Sequence, residues 1–108
     1  MVRNVDPTES LTIRAPQHVN QRTVGTLDSL VDDAIARKAG IVDVAMDSVQ
    51  SVDSAGLNWL VAVNERLQSL GMKLRLADPP ELVQDILLAT RLDTRFAVHC
   101  SMGGLRHA

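Results

Sequence analysis

The feature that most constrains this chain is a hydrophobic period that switches repeatedly between two values. Leu11-Thr12-Ile13-Arg14-Ala15 alternates apolar and polar residues, the period-two signature of a strand. Leu27, Leu30, Val31, Ala34 and Ile35 then recur at intervals of one, three and four residues, marking one face of a helix. Ile41 to Met46 (IVDVAM) is more continuously apolar, as a central strand is. Leu57, Leu60, Val61, Asn64, Leu67 and Gln68 trace a second helical face, and Lys73-Leu74-Arg75-Leu76-Ala77 alternates again. Leu82, Val83, Ile86, Leu87 and Thr90 mark a third helix, and Phe96-Ala97-Val98 is a last short strand. The spacing thus predicts strands at 11–15, 41–46, 73–77 and 95–98, and helices at 23–38, 55–70 and 80–90.

Punctuation agrees with these limits. Pro16 ends the first strand because proline offers no donor to a ladder, and Pro16 to Asn20 reads as loop. Gly40 and Gly71 stand where the first two helices should stop. Asp78-Pro79-Pro80-Glu81 is a helix start, with acid at the positive end of the dipole. Strands alternating with helices imply a single α/β domain, a mostly parallel or mixed sheet of four to five strands with helices packed on it. With 108 residues the chain fits one domain. Residues 1–10 read as a lead-in or short edge strand, 11–100 as the domain, and 101–108 as a polar tail. One Trp and one Phe mean that the core must be aliphatic.

Several function classes are disfavoured at this level. A net charge of −2 gives no broad footprint for nucleic acid or anionic membranes. No run approaches the roughly 20 apolar residues that span a bilayer, so direct membrane insertion is not expected. The first ten residues lack the apolar core of a secretory signal, and Cys100 is alone, which excludes an intrachain disulfide. A cytoplasmic protein is the economical expectation. His18, His99, His107 and Cys100 follow no ligand spacing, so no metal is expected, and no phosphate-cradling glycine-lysine loop is present. Asp53-Ser54-Ala55-Gly56 is not a nucleophile elbow, and neither an enzyme nor a cofactor is predicted.

The informative stretch is Ser48 to Leu57 (SVQSVDSAGL), at the junction of a core strand and a core helix. Ser and Asp are preferred helix N-caps, so either Asp53 or Ser54 can fill that position. Gly56 costs up to about 1 kcal/mol relative to alanine in a first helical turn. Its missing Cβ suits close approach of a partner, or equally tight strand-to-helix packing. Trp59, Val63 and Arg66 form a stripe beside the Leu57–Leu60–Val61 face. Trp and Arg are favoured interface anchors, while a Trp lying over the core edge is the structural alternative.

These residues carry a family resemblance. Val52-Asp53-Ser54-Ala55-Gly56-Leu57 looks like the D-[ST]-[STA]-G-L signature of STAS domains, and element order from about Leu11 to Val98 agrees with it. Gly71-Met72-Lys73-Leu74 and the Pro-bearing helix start add support. The family includes bacterial anti-sigma factor antagonists. The resemblance implies that Ser54 is a phosphoacceptor for a serine kinase that is itself an anti-sigma factor, with a phosphatase to reverse the mark. The unphosphorylated form would bind that kinase and release the sigma factor. Asn20, Asp53, Ala55, Gly56, Asn58, Trp59 and Arg66 are the expected partner-binding residues. One departure stands out: antagonists usually place an Asp where this chain has Asn20 in Gln17-His18-Val19-Asn20. That departure favours a rival reading, a structural accessory subunit of a lipid-transport ATPase complex. A small-ligand sensor holding an anion at the same turn is a third.

Overall fold

The computed structural model describes residues 10–99. Nearly all of the predicted lead-in, Cys100 and the polar tail lie outside the described residues. The element order is β1 (Ser10–Arg14), β2 (His18–Val19), α1 (Val24–Ala36), β3 (Ile41–Ala45), β4 (Ser51–Val52), α2 (Ser54–Ser69), β5 (Lys73–Ala77), α3 (Glu81–Ala89) and β6 (Ala97–His99). The four longer predicted strands form one sheet in the order β1-β3-β5-β6, and every pairing in it is parallel. Because the order advances always in one direction, right-handed crossovers place all three helices on one face. Leu11, Ile13, Val42, Val44, Leu74 and Leu76 turn toward those helices by strand alternation. Val42, Val44, Leu76, Val31, Leu67 and Met46 are fully buried, and the core is aliphatic as composition requires.

The opposite sheet face carries a row of side chains at one register: Thr12, Asp43, Arg75 and Ala97. Asp43 is a charged residue buried in the central strand, and Arg75 clasps it with two hydrogen bonds of 2.7 and 2.9 Å. This fork-to-fork geometry satisfies both carboxylate oxygens at once. Those bonds hold the Arg75 guanidinium above its ordinary range, against the smaller opposing effect of burial.

Three expectations are corrected. The stretch read as loop contains β2, which pairs in parallel with β4 to make a separate two-stranded ribbon. Two-residue strands are too short for a period-two pattern to register. The last strand begins at Ala97 rather than 95, because Arg95 N–H closes a turn on Leu92 O and Phe96 is drawn into the core. The first helix ends before Gly40: Lys38 takes the left-handed conformation (φ 58°) and turns the chain itself. Gly71 does close α2 with φ 77°, as expected.

The Asp43–Arg75 pair generates an asymmetric expectation. Arg75→Ala strands a buried carboxylate and should cost about 3 kcal/mol. Asp43→Ala leaves a guanidinium that is 29% exposed and reaches water, so its cost should be nearer 1 kcal/mol. Chemical denaturation of both variants checks the ranking; a larger loss for Asp43→Ala would contradict it.

Candidate functional site

The site is built where the short ribbon meets the start of α2. Backbone pairing of His18 with Ser51 and Val19 with Val52 brings the loop after β1 alongside the strand that leads into the motif. The Val19 carbonyl accepts a hydrogen bond from Asp53 N–H at 3.1 Å. Asp53 is in extended backbone geometry, and its Oδ1 accepts from Gly56 N–H at 2.8 Å. This settles the cap between the two candidates: Asp53 is the N-cap, and Ser54 is the first helical residue. The Ser54 side chain is exposed, and its hydroxyl has no hydrogen bond among the described residues.

Gly56 is required by the chain's own backbone. A Cβ at that position would lie within 2.9 Å of the Val19 carbonyl carbon and closer still to its oxygen. Real Cβ atoms do not approach backbone so closely. Of the two uses proposed for Gly56, the structure supplies the packing one, because Gly56 is buried against β2.

Asn20 follows directly on Val19 and is half-buried. Its Oδ1 accepts from the Arg22 and Thr23 N–H groups at 2.9 and 3.2 Å, and Asn20 N–H donates to Thr23 Oγ1 at 2.9 Å. Thr23 Oγ1 in turn donates to the His18 carbonyl at 2.8 Å. An aspartate would accept the same two bonds. Asn20 therefore keeps the loop geometry and removes only the charge.

The structure divides the predicted partner-binding residues in two. Asp53, Ser54 and Asn58 are exposed and Ala55 is half-buried, so these form the outer surface of the first turn of α2. Trp59 and Arg66 both engage α1, Trp59 from a buried position and Arg66 with its side chain still 43% exposed. Trp59 is buried and its Nε1 donates to Asp28 Oδ1 at 3.2 Å. Arg66 pairs with Asp28 at 3.7 Å and with Asp32. The stripe expected to anchor a partner thus also clasps two helices together, with Trp59 committed to the core and Arg66 remaining on the surface. The buried face of α2 is Gly56, Trp59, Leu60, Val63, Asn64 and Leu67. Leu57 and Val61 are only half-buried and Gln68 is exposed, because α2 must cover both the sheet and α1.

One exposed contact at the site escaped the sequence reading. His18 Nδ1 and Ser51 Oγ lie 2.7 Å apart across the ribbon. The two residues are separated by 33 positions, and no local pattern links them. Among the described residues, no cluster of His, Cys, Asp or Glu is arranged to hold a metal ion, and no helix is long and apolar enough to cross a membrane. The first turn of α2 carries no acidic residue, so an anion on Ser54 would face the helix dipole with only the Asp53 cap beside it.

The family model described as Mlab, STAS domain matches residues 5–102. No curated protein matches the chain.

The capping arrangement separates two neighbouring substitutions. Asp53→Ala should lower stability by about 0.5–2 kcal/mol, since it frees the Gly56 N–H from its partner. Ser54→Ala should leave the melting temperature unchanged within error. Equal losses for the two variants in thermal unfolding would contradict the assignment of the cap.

Proposed function

The chain belongs to the STAS domain family, and from that premise we propose that it is a non-enzymatic docking module whose partner binding is switched by phosphorylation of Ser54. The partner is a serine kinase that is itself an anti-sigma factor, and a phosphatase restores the binding form. In this reading the protein is a bacterial anti-sigma factor antagonist, acting in the cytoplasm on transcription regulation.

The observation that carries the reading is the division of labour between Asp53 and Ser54. Asp53 supplies the cap, so the Ser54 hydroxyl is exposed and has no structural task. Phosphate adds about −1.5 to −2 charges there. At a helix N-terminus that charge is tolerated by the fold. A partner surface shaped to the neutral turn of Ser54, Ala55 and Asn58 rejects it, because the added charge must be desolvated at the interface. The switch changes the surface and leaves the scaffold alone.

Asn20 favours a second reading. Without the expected acidic neighbour, the turn suits permanent docking, as in a structural accessory subunit of a lipid-transport ATPase complex. The same surface then binds its partner without any phosphate cycle.

The test uses the full chain as bait, with mass spectrometry of the recovered partner and of Ser54, followed by calorimetry. Ser54→Ala is expected to bind as wild type does. Ser54→Asp should remain folded, with stability within about 1 kcal/mol of wild type, and should bind measurably more weakly. If both variants bind equally and no phosphate is found on Ser54, the switch fails and the accessory-subunit reading replaces it.

A further inference from the structure

We propose that Ser51 is a phosphoacceptor in its own right, with His18 as the base that takes its hydroxyl proton and the cation that then holds the phosphate. His18 Nδ1 and Ser51 Oγ lie 2.7 Å apart, and both residues are exposed. A hydroxyl within about 2.6–3.2 Å of a base is the arrangement that activates a serine as a nucleophile. Ser54, three positions on, is exposed but has no base bonded to its hydroxyl among the described residues. Ser54 is accessible, whereas Ser51 is accessible and activated.

The backbone builds this pair. β2 and β4 set His18 opposite Ser51 in register. The Gln17 carbonyl accepts from Gln50 N–H at 2.6 Å and from Ser51 N–H at 3.1 Å, which fixes the serine from one side. On the other side the His18 carbonyl accepts from Thr23 Oγ1 at 2.8 Å, and the next residue, Val19, is buried. His18 makes no ion pair among the described residues, so no carboxylate competes for the imidazole. When the ring carries its proton on Nε2, Ser51 Oγ donates to Nδ1, the nitrogen that can receive the hydroxyl proton.

The transfer balances at these two side chains. Ser51 Oγ attacks the terminal phosphorus of a nucleoside triphosphate, and the bond from that phosphorus to the bridging oxygen breaks. The nucleoside diphosphate leaves with the electron pair, and the hydroxyl proton passes to His18 Nδ1. The product is a phosphate of about −1.5 to −2 charges beside an imidazolium, a charge-assisted contact that straps β2 to β4. A phosphate on Ser54 has the helix dipole to meet it instead. The donor rests on the proposed function, since a serine kinase docked at the Ser54 turn would carry the triphosphate. The pair does not, and it is tested without the kinase.

The probe for the base is a fluorophosphonate, which phosphonylates an activated serine with loss of fluoride. It is applied to the full-length protein, and the labelled residues are mapped by mass spectrometry. Labelling of Ser51 should exceed that of Ser54 by about tenfold or more, a general base contributing typically about 10²–10⁴-fold. His18→Gln should remove the excess, and free imidazole should restore it in His18→Ala, as it would not for a merely structural histidine. The probe for the cation is genetically encoded phosphoserine in place of Ser51. It should raise the melting temperature by about 1–5 °C, and His18→Gln should abolish the rise. Equal labelling of the two serines, or labelling of Ser51 that His18→Gln leaves unchanged, would overturn the proposal. So would a phosphoserine that lowers the melting temperature, or raises it equally without His18. Failure of the Ser54 switch is read separately, from partner affinity, so the two results remain distinguishable.

Discussion

The contact on which the site depends is the approach of Gly56 to the Val19 backbone. It leaves no room for a Cβ, and the same Val19 carbonyl receives the Asp53 N–H. Together these contacts press the first turn of α2 against β2. Asp53 then has its side chain aimed at Gly56 N–H, and Ser54 is left facing outward with an unused hydroxyl. A glycine that is unfavourable for the helix is thus required by the tertiary packing that positions the serine. The exposed chemistry is a consequence of a buried steric constraint.

The rest of the molecule isolates this turn from the task of holding the fold together. The aliphatic core and the parallel sheet supply the bulk of the burial, and the Asp43–Arg75 pair fixes the register of the two central strands from the other face. The helices are tied to each other by Trp59, Asp28, Arg66 and Asp32. None of these groups lies on the exposed part of the turn formed by Ser54 and Asn58. A charge placed on Ser54 therefore meets solvent and the helix dipole, while the core is untouched.

How much of this was legible in the sequence depended on whether the controlling interaction was local. The main sheet and all three helices follow from period and punctuation, because hydrophobic repeats and Gly71 act over a few residues. The ribbon of β2 and β4 was not legible, since each strand has two residues and its pairing joins positions 33 apart. Trp59 and Arg66 show a different limit. Their residue types suit interfaces, but type alone does not say that α1 presents Asp28 and Asp32 to them. The opposite charges at the centres of IVDVA and KLRLA were a readable sign of Asp43–Arg75, because central positions of neighbouring parallel strands meet in register. The identity of the motif was visible, and packing was one of two reasons open for its glycine, but the sequence could not choose between them because Val19 lies far away in sequence.

The most direct test is amide hydrogen exchange at Asp53, measured in the wild type and in Gly56→Ala. If the Val19 carbonyl organises the site, the Asp53 N–H is protected in the wild type. It should lose that protection in Gly56→Ala, while the amides of β3 and β5 retain theirs, even though alanine is favoured over glycine in a helix by about 1 kcal/mol. Equal protection of Asp53 in the two proteins, or free exchange in the wild type, would contradict the account.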